Sequence, residues 1–337
     1  MSEQKKNRIT LKDIANVAGI SVNSVSRALK GSKNISQQTI ENVSRIANEM
    51  GYVPDVHAQS LRNGSFKVIA VVYDNLTNPY YSIMMDLLNS ELEKKEYESM
   101  IFVDHHNNGY LSDILAKRIL SYRVSGIITF IAPTNEAAKI LKNNRIPLVL
   151  IGRKCQKINS VFSNDYKGGV LAAEKLLEYG GKNFCYITEH GELDINTLRY
   201  NGFSDTLNKN NISRESQNVI IGSYETNIKD EIIKLTSNKK IDSIFCFSDL
   251  IAFKVISILF DLNIVVPKDI NVIGYDNLQE QLPYPMRLSS IDGGKHSSID
   301  KTLQLLFSQI DNEYKERASY IEVDVYFKKG TTTIKKD

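Results

Sequence analysis

The sequence predicts an α/β protein in which a small all-α module precedes a two-lobed region built on parallel sheets. Three short helical patterns punctuated by glycine fill the first sixty residues. From about Phe66, short apolar runs alternate with helix-length amphipathic stretches, which is how a parallel sheet covered on both faces reads. Seven to ten such runs are too many for one comfortable doubly wound lobe, and they divide into similar halves, 66–160 and 161–290.

Composition narrows the class. With 337 residues, 42% hydrophobic and 24% charged, the chain can bury real cores, which excludes a disordered or collagenous protein. Cys155, Cys185 and Cys246 lie far apart with no C-x-x-C, so neither a disulfide framework nor a zinc finger organises the fold. No apolar leader and no run of about 18 uncharged apolar residues is present, so a cytoplasmic location away from any membrane is expected. The net charge of +3 is unevenly spread: residues 1–65 carry nine basic side chains against five acidic ones, leaving 33 against 34 for the remainder. The excess positive charge sits where a polyanion could be met.

Thr10-Leu-Lys-Asp13 has the form of a capping box, and Leu11, Ile14, Ala15 and Ala18 follow at helical spacing up to Gly19. Ser21 caps a second helix with Val25, Ala28 and Leu29 on one face, and two short helices joined by a glycine turn make a helix-turn-helix. Burying Val25 and Leu29 leaves Val22, Asn23, Ser26 and Arg27 on the open side. There Asn reads adenine, Arg reads guanine, and Val22 meets a thymine methyl. A solvated face is the plainer alternative, but spacing, turn glycine and basic excess together favour DNA. Ser36 caps a third helix with Ile40, Val43, Ile46, Ala47 and Met50 as its apolar stripe, ended by Gly51. After Tyr52-Val53-Pro54, residues 55–64 provide two helical turns at most, marginal alone in water and expected to order only against a twin or DNA.

TLKDIANVAGISVNSVSRALKG, ISQQTIENVSRIANEMGYVPD and AQSLRNG resemble, nearly position for position, the headpiece and hinge of the LacI/GalR family of bacterial transcription regulators. The resemblance implies base contacts from Val22, Asn23 and Arg27, and phosphate contacts from Thr10, Ser21, Ser24, Ser26 and Ser36. It further implies a hinge helix in the minor groove that uses Ala58 and Leu61, with Leu61 wedged between base steps or packed on its dimer mate. Lys30 stands where many relatives carry asparagine and suits a phosphate better than a base.

In the larger region, runs at 68–72, 100–103, 126–131, 147–151, 184–187, 244–247 and 272–274 read as strands, and 80–95, 167–179 and 250–261 as helices. A late helix carries Leu303, Leu306, Phe307 and Ile310, and 320–327 reads as one last strand before a polar tail. Ligands of such sheets sit beyond the carboxyl ends of the strands, hence in the cleft between the lobes. The family resemblance extends here through Asn78-Pro79-Tyr80-Tyr81, Asn164-Asp165-Tyr166-x-Gly168-Gly169, Arg199-x-x-Gly202-Phe203, Phe247-Ser248-Asp249 and the segment from Val266 to Asn277. It implies a periplasmic-binding-protein-like effector domain whose ligand meets Tyr80, Tyr81 and Arg153 in the first lobe. Arg199, Tyr224, Ser248, Asp249 and Asp276 would meet it from the second. Carboxylates and a guanidinium suit vicinal hydroxyls, and an aromatic ring suits a pyranose face. The plainer readings make Arg199 and Asp276 an inter-lobe salt bridge and Asp249 a helix cap.

The expected organisation is a headpiece over 1–54, a hinge helix and linker over 55–65, a first lobe of 66–160 plus 293–322, and a second of 161–290 plus 323–334. Gly152-Arg153, Asp292-Gly293-Gly294 and the loop 189–192 depart from family habit at the cleft rim, so the effector is the least transferable inference. None of G-x-x-x-x-G-K-[ST], H-E-x-x-H or G-x-S-x-G occurs, and G-x-G-x-x-G is missing after the first strand, so no catalytic residue, enzyme activity or cofactor is expected. His105-His106 lacks a third metal ligand nearby, and Asn164–Gly169 reads as a capped, closely packed helix start ahead of a phosphate site. The expected partners are a near-palindromic duplex operator, a small effector of the sugar or sugar-phosphate class, and a second copy of the chain. A nucleobase effector or a partner protein is the alternative within the family, and a solute-binding protein or a sugar-processing enzyme outside it.

Overall fold

The computed structural model describes residues 8–54, 66–105, 109–188, 194–222, 227–237, 241–283, 286–311 and 317–336. The chain forms two units, 1–66 and 67–337.

In the amino-terminal unit, α1 (Leu11–Ala18), α2 (Val22–Leu29) and α3 (Gln37–Met50) are each started by a side-chain cap. Thr10 and Asp13 form the reciprocal capping box, Ser21 accepts from the Ser24 amide at 3.1 Å, and Ser36 from the Thr39 amide at 3.3 Å. Gly19 ends α1 at φ 68°, a left-handed turn that costs a residue without Cβ least. Ile14, Val25 and Val43, one from each helix, are fully buried together with Ala28 and Ala47. Leu29, expected in the core beside Val25, is only half-buried, because Ala28 takes the inner position.

The larger unit begins with β1 (Val68–Tyr73), α4 (Pro79–Glu93), β2 (Glu98–Val103), β3 (Tyr110–Leu111), α5 (Asp113–Ser121), β4 (Gly126–Thr129), β5 (Ala132–Pro133), α6 (Asn135–Asn143), β6 (Leu148–Ile151) and β7 (Asn159–Ser163). It continues through α7 (Asp165–Glu178), β8 (Phe184–Thr188), α8 (Asp194–Lys209), β9 (Gln217–Ile221), α9 (Ile228–Ser237), β10 (Ser243–Cys246), α10 (Asp249–Asp261), β11 (Asn271–Tyr275) and β12 (Ser289–Asp292). It closes with α11 (Lys295–Asp311), β13 (Tyr320–Val323) and β14 (Tyr326–Lys328).

Two six-stranded sheets result, in the orders β13-β7-β6-β4-β1-β2 and β14-β12-β11-β10-β8-β9, every pairing parallel except β12 with β14. Period-two alternation places successive residues on opposite faces. Ile69, Val71 and Tyr73 pack with residues of α4 and α11, while Ala70 and Val72 pack with those of α5 and α6. In the second sheet Cys185 and Ile187 face α9 and α10, and Phe184 and Tyr186 face α7 and α8.

The single last strand expected over 320–327 is two strands in different sheets. Tyr320–Val323 runs parallel to β7, whereas Tyr326–Lys328 runs antiparallel to β12, with the chain crossing between lobes at Asp324 and Val325. Strand β7 belongs wholly to the first sheet, so the first crossing falls after Ser163, three residues beyond the expected boundary. Its polar residues Asn159, Ser160 and Ser163 interrupt the apolar run that would have shown it. The second crossing follows β12.

Where α7 meets α8 the backbones nearly touch. A methyl on Gly202 would overlap the Tyr166 carbonyl oxygen, and one on Gly169 would overlap that of Arg199, so only glycine permits this approach. Asn164 caps α7 by accepting from the Lys167 amide at 2.8 Å. The motif 164–169 is thus a capped and closely packed helix start.

Candidate functional site

On the headpiece, Val22, Asn23 and Arg27 are exposed along one side of α2, and Ser24 and Ser26 are half-buried beside them. Thr10, Ser21 and Ser36 stand at the three helix N-termini, where free amides and the helix dipole attract an anion. Their hydroxyls are already engaged in capping, so their position at a helix end matters more for phosphate than a free hydroxyl does. Lys30 is the exposed residue that closes α2. Ala58 and Leu61 lie outside the described residues, as does Tyr224.

In the larger unit, the carboxyl ends of both sheets face a cavity of about 590 Å³. From the first lobe come Asp74, Tyr80, Tyr81, Phe130 and Arg153, and from the second Asp165, Arg199, Ser248, Tyr275 and Asp276. Tyr80 and Tyr81 occupy the first turn of α4, fixed by the Asn78 cap, whose Oδ1 accepts from the Tyr80 amide at 3.0 Å. Tyr81 packs edge-on to Phe130 at 5.4 Å, and Phe130 stacks on Tyr73 at 4.7 Å, so an aromatic wall backs this lobe. Burial holds both phenols protonated, with Asp276 adding to it for Tyr80 and Asp74 for Tyr81. The Arg153 guanidinium lies 5.3 Å from the centre of the Tyr110 ring.

Arg199 is buried and doubly engaged. Its Nε donates to Asp165 Oδ1 at 2.8 Å, its Nη1 donates to the Phe247 carbonyl, and its guanidinium stacks 3.4 Å from the Tyr275 ring centre. Burial opposes its charge, but Asp165, the Tyr275 phenol and Asp276 outweigh that and raise its pKa. The carboxylate partner is Asp165 of the same lobe, in place of the Arg199–Asp276 bridge of the plainer alternative. Asp276 itself is half-buried at the cavity wall with φ 104°. Burial pushes its carboxyl up to about 7, against the pull of Arg199 and Lys295.

Asp249 does not line the cavity. It is fully buried and accepts from the Leu278 amide at 2.8 Å and the Ser290 hydroxyl at 2.7 Å, tying β12 to the turn after β11. The cap of α10 is Ser248, which accepts from the Ile251 amide and does line the cavity. Asp249 thus differs from both sequence expectations: the residue before it is the cap and the cavity group.

Sequence reasoning missed Asp165, Tyr275 and Lys295. Asp165 had a signal, a carboxylate opening a glycine-containing helix. Lys295 had none: its ammonium, 2% exposed, donates to the Asp276 and Asn277 carbonyls at 2.7 and 3.2 Å and lies 3.5 Å from Asp292. Among the described residues no group of three or more metal-ligating side chains occurs, and no helix is long and apolar enough to cross a membrane.

A helix-turn-helix unit joined to two parallel-sheet lobes around a polar, aromatic cleft defines a DNA-binding transcriptional regulator. Residues 10–55 match the family described as bacterial regulatory proteins, lacI family, and 173–331 match the periplasmic binding protein-like domain. The HTH-type transcriptional regulator MalR of Clostridium butyricum is 26% identical over 327 residues, covering 94% of this chain and 97% of the relative. The lac repressor dimer bound to operator and the anti-inducer ONPF superposes with a TM-score of 0.80 at 21% identity, covering 97% of this chain and all of that one. The transcriptional regulator CelR in complex with cellobiose gives a TM-score of 0.65 at 20% identity, covering 96% and 100%. The chain belongs to the LacI/GalR family, whose members are sequence-specific DNA-binding regulators and not enzymes.

Proposed function

We propose that the chain is a homodimeric repressor whose affinity for a near-palindromic operator is set by a sugar or sugar phosphate held between the lobes. The observation that carries the reading is the cleft: a buried guanidinium on a tyrosine ring, a carboxyl at Asp276 that makes no side-chain hydrogen bond among the described residues, and an aromatic wall at Tyr80 and Tyr81. Such a surface covers an apolar sugar face and pairs charged groups with hydroxyls. CelR, of the same fold, is described with cellobiose bound.

In the proposed mechanism Val22, Asn23 and Arg27 read one half-site per copy, and lobe closure over the ligand changes how two headpieces are spaced. A coupling of about 1–3 kcal/mol is typical of such linkage. The test has two arms. Selection from random duplexes should return a symmetric, salt-sensitive site. Thermal melting against sugars, sugar phosphates and nucleobases should show a saturable rise with a sugar-class compound, because a ligand of the native state stabilises it by mass action. A rise with nucleobases alone would replace the ligand assignment, and no symmetric site would overturn the DNA arm.

A further inference from the structure

A second cavity, of about 660 Å³, opens on the first lobe at the sheet edge formed by β13, remote along the sheet from β2. It shares no lining residue with the cleft between the lobes. Lys139 and Lys142 on α6, with Lys157 and Arg317, supply four exposed cations to its walls, and its described lining contains no carboxylate. None of the four forms an ion pair with a described residue. The floor is apolar, built from Leu141, Ile146, Leu148 and Ile158.

Two neutral groups complete it. Gln309, at the end of α11, is 8% exposed; its Nε2 donates to the Leu305 carbonyl at 3.3 Å, which fixes the amide, and its Oε1 has no hydrogen-bond partner among the described residues. A buried acceptor left unpaired is costly and marks a place for a donor. The Tyr320 hydroxyl accepts from the Lys157 amide at 2.9 Å and so keeps its own proton available to a ligand.

We propose that this cavity binds a small organic phosphate. Its phosphate lies among Lys139, Lys142, Lys157 and Arg317, and its body packs on the Leu141–Ile158 floor with a hydroxyl or N–H directed at Gln309. Several cations around one concavity, none ion-paired among the described residues, select a multiply charged anion, which a phosphate satisfies through charge-assisted hydrogen bonds. The volume lies in the range of organic-ligand pockets and exceeds what inorganic phosphate fills, and the apolar floor has no use for a bare anion. The concave shape favours a small molecule over a nucleic-acid strand. This site does not depend on what occupies the cleft between the lobes.

Isothermal titration of the full chain with glucose 6-phosphate, AMP and inorganic phosphate tests it. Two variants separate the sites: Lys139→Glu with Lys142→Glu, both exposed and on one helix face, and Arg153→Ala in the other cleft. At least one organic phosphate should bind wild type and Arg153→Ala alike, and bind the double variant about tenfold or more weakly. Gln309→Leu should weaken the organic ligand and leave inorganic phosphate unchanged. The proposal is overturned if none of the three binds at millimolar concentration or if inorganic phosphate binds as tightly as the best organic ligand. It is equally overturned if the lysine reversal leaves every binding event of wild type in place, or if no organic phosphate binds Arg153→Ala.

Discussion

Replacing Gly202 by alanine probes how the cleft is built without touching a residue that lines it. The new methyl would overlap the Tyr166 carbonyl oxygen and lie 2.9 Å from its carbon and 3.1 Å from the Val170 amide nitrogen. These are backbone atoms of α7, which cannot swing aside as a side chain would, so α7 and α8 must part by about 1 Å. Overpacking of this kind costs about 1–3 kcal/mol. The same displacement stretches the 2.8 Å bond from Arg199 on α8 to Asp165 on α7 beyond hydrogen-bond length. Loosening a charged, buried bond adds about 1.5–3 kcal/mol. At about 2–4 °C per kcal/mol for a unit of this size, the melting point should fall by roughly 10 °C. Calorimetry of the full chain reads it, with Lys167→Ala as control, since the Lys167–Asp324 pair is solvent-exposed and screened by water, so its loss should leave the melting point nearly unchanged. A Gly202→Ala protein melting within about 2 °C of wild type would refute the close-packing argument.

Three other predictions concern single side chains. Arg199→Ala leaves the Asp165 carboxylate buried without its partner and should lower stability by about 3–5 kcal/mol in urea unfolding; replacing the pair by Met and Leu should restore much of it, and an unchanged midpoint for Arg199→Ala would show the pair to be structurally idle. Asp276, with its carboxyl raised from 3.8 to about 7, is protonated in the folded chain and ionised in the unfolded one between those values. Its contribution is therefore fully present below about pH 4 and lost as pH rises through 7, so Asp276→Asn should lose less stability than wild type between about pH 5 and 8, and equal losses would count against the assignment. Arg27→Ala should cost about 1–3 kcal/mol in operator affinity and relax preference at one base pair, which a competition series over all four bases would detect.

The headpiece was legible almost residue by residue because local signals suffice there: each helix carries its own cap, stripe and stop within a few residues, and the core needs only Ile14, Val25 and Val43 to meet. The parallel strands were legible where burial on both faces makes them continuously apolar, as in β1, β6 and β8. Strand β7 and the split at Asp324 were not, since edge-proximal strands tolerate polar residues and the crossing depends on pairing with segments far away in sequence. The cleft divided similarly. Tyr80, Tyr81, Arg199 and Asp276 were found from motifs, but the bond that occupies Arg199 comes from Asp165 across a helix crossing that glycine spacing alone does not reveal. Asp249 misled because a carboxylate at a helix start reads as a cap, whereas its partners are the Leu278 amide and Ser290, brought there by the sheet.

The three passages of chain between the lobes fix an order of assembly. Residues 159–163 stay without their outer neighbour until 320–323 arrive, so the ribosome must add about 160 further residues before the first sheet gains its border strand. At roughly 5–20 residues per second, that interval lasts on the order of ten seconds or more, with Val161 and its neighbours presenting an open edge. A truncation between β7 and Tyr320 leaves that edge open and should therefore yield an aggregating product, and the two lobes cannot be separated into independently producible halves by a single cut.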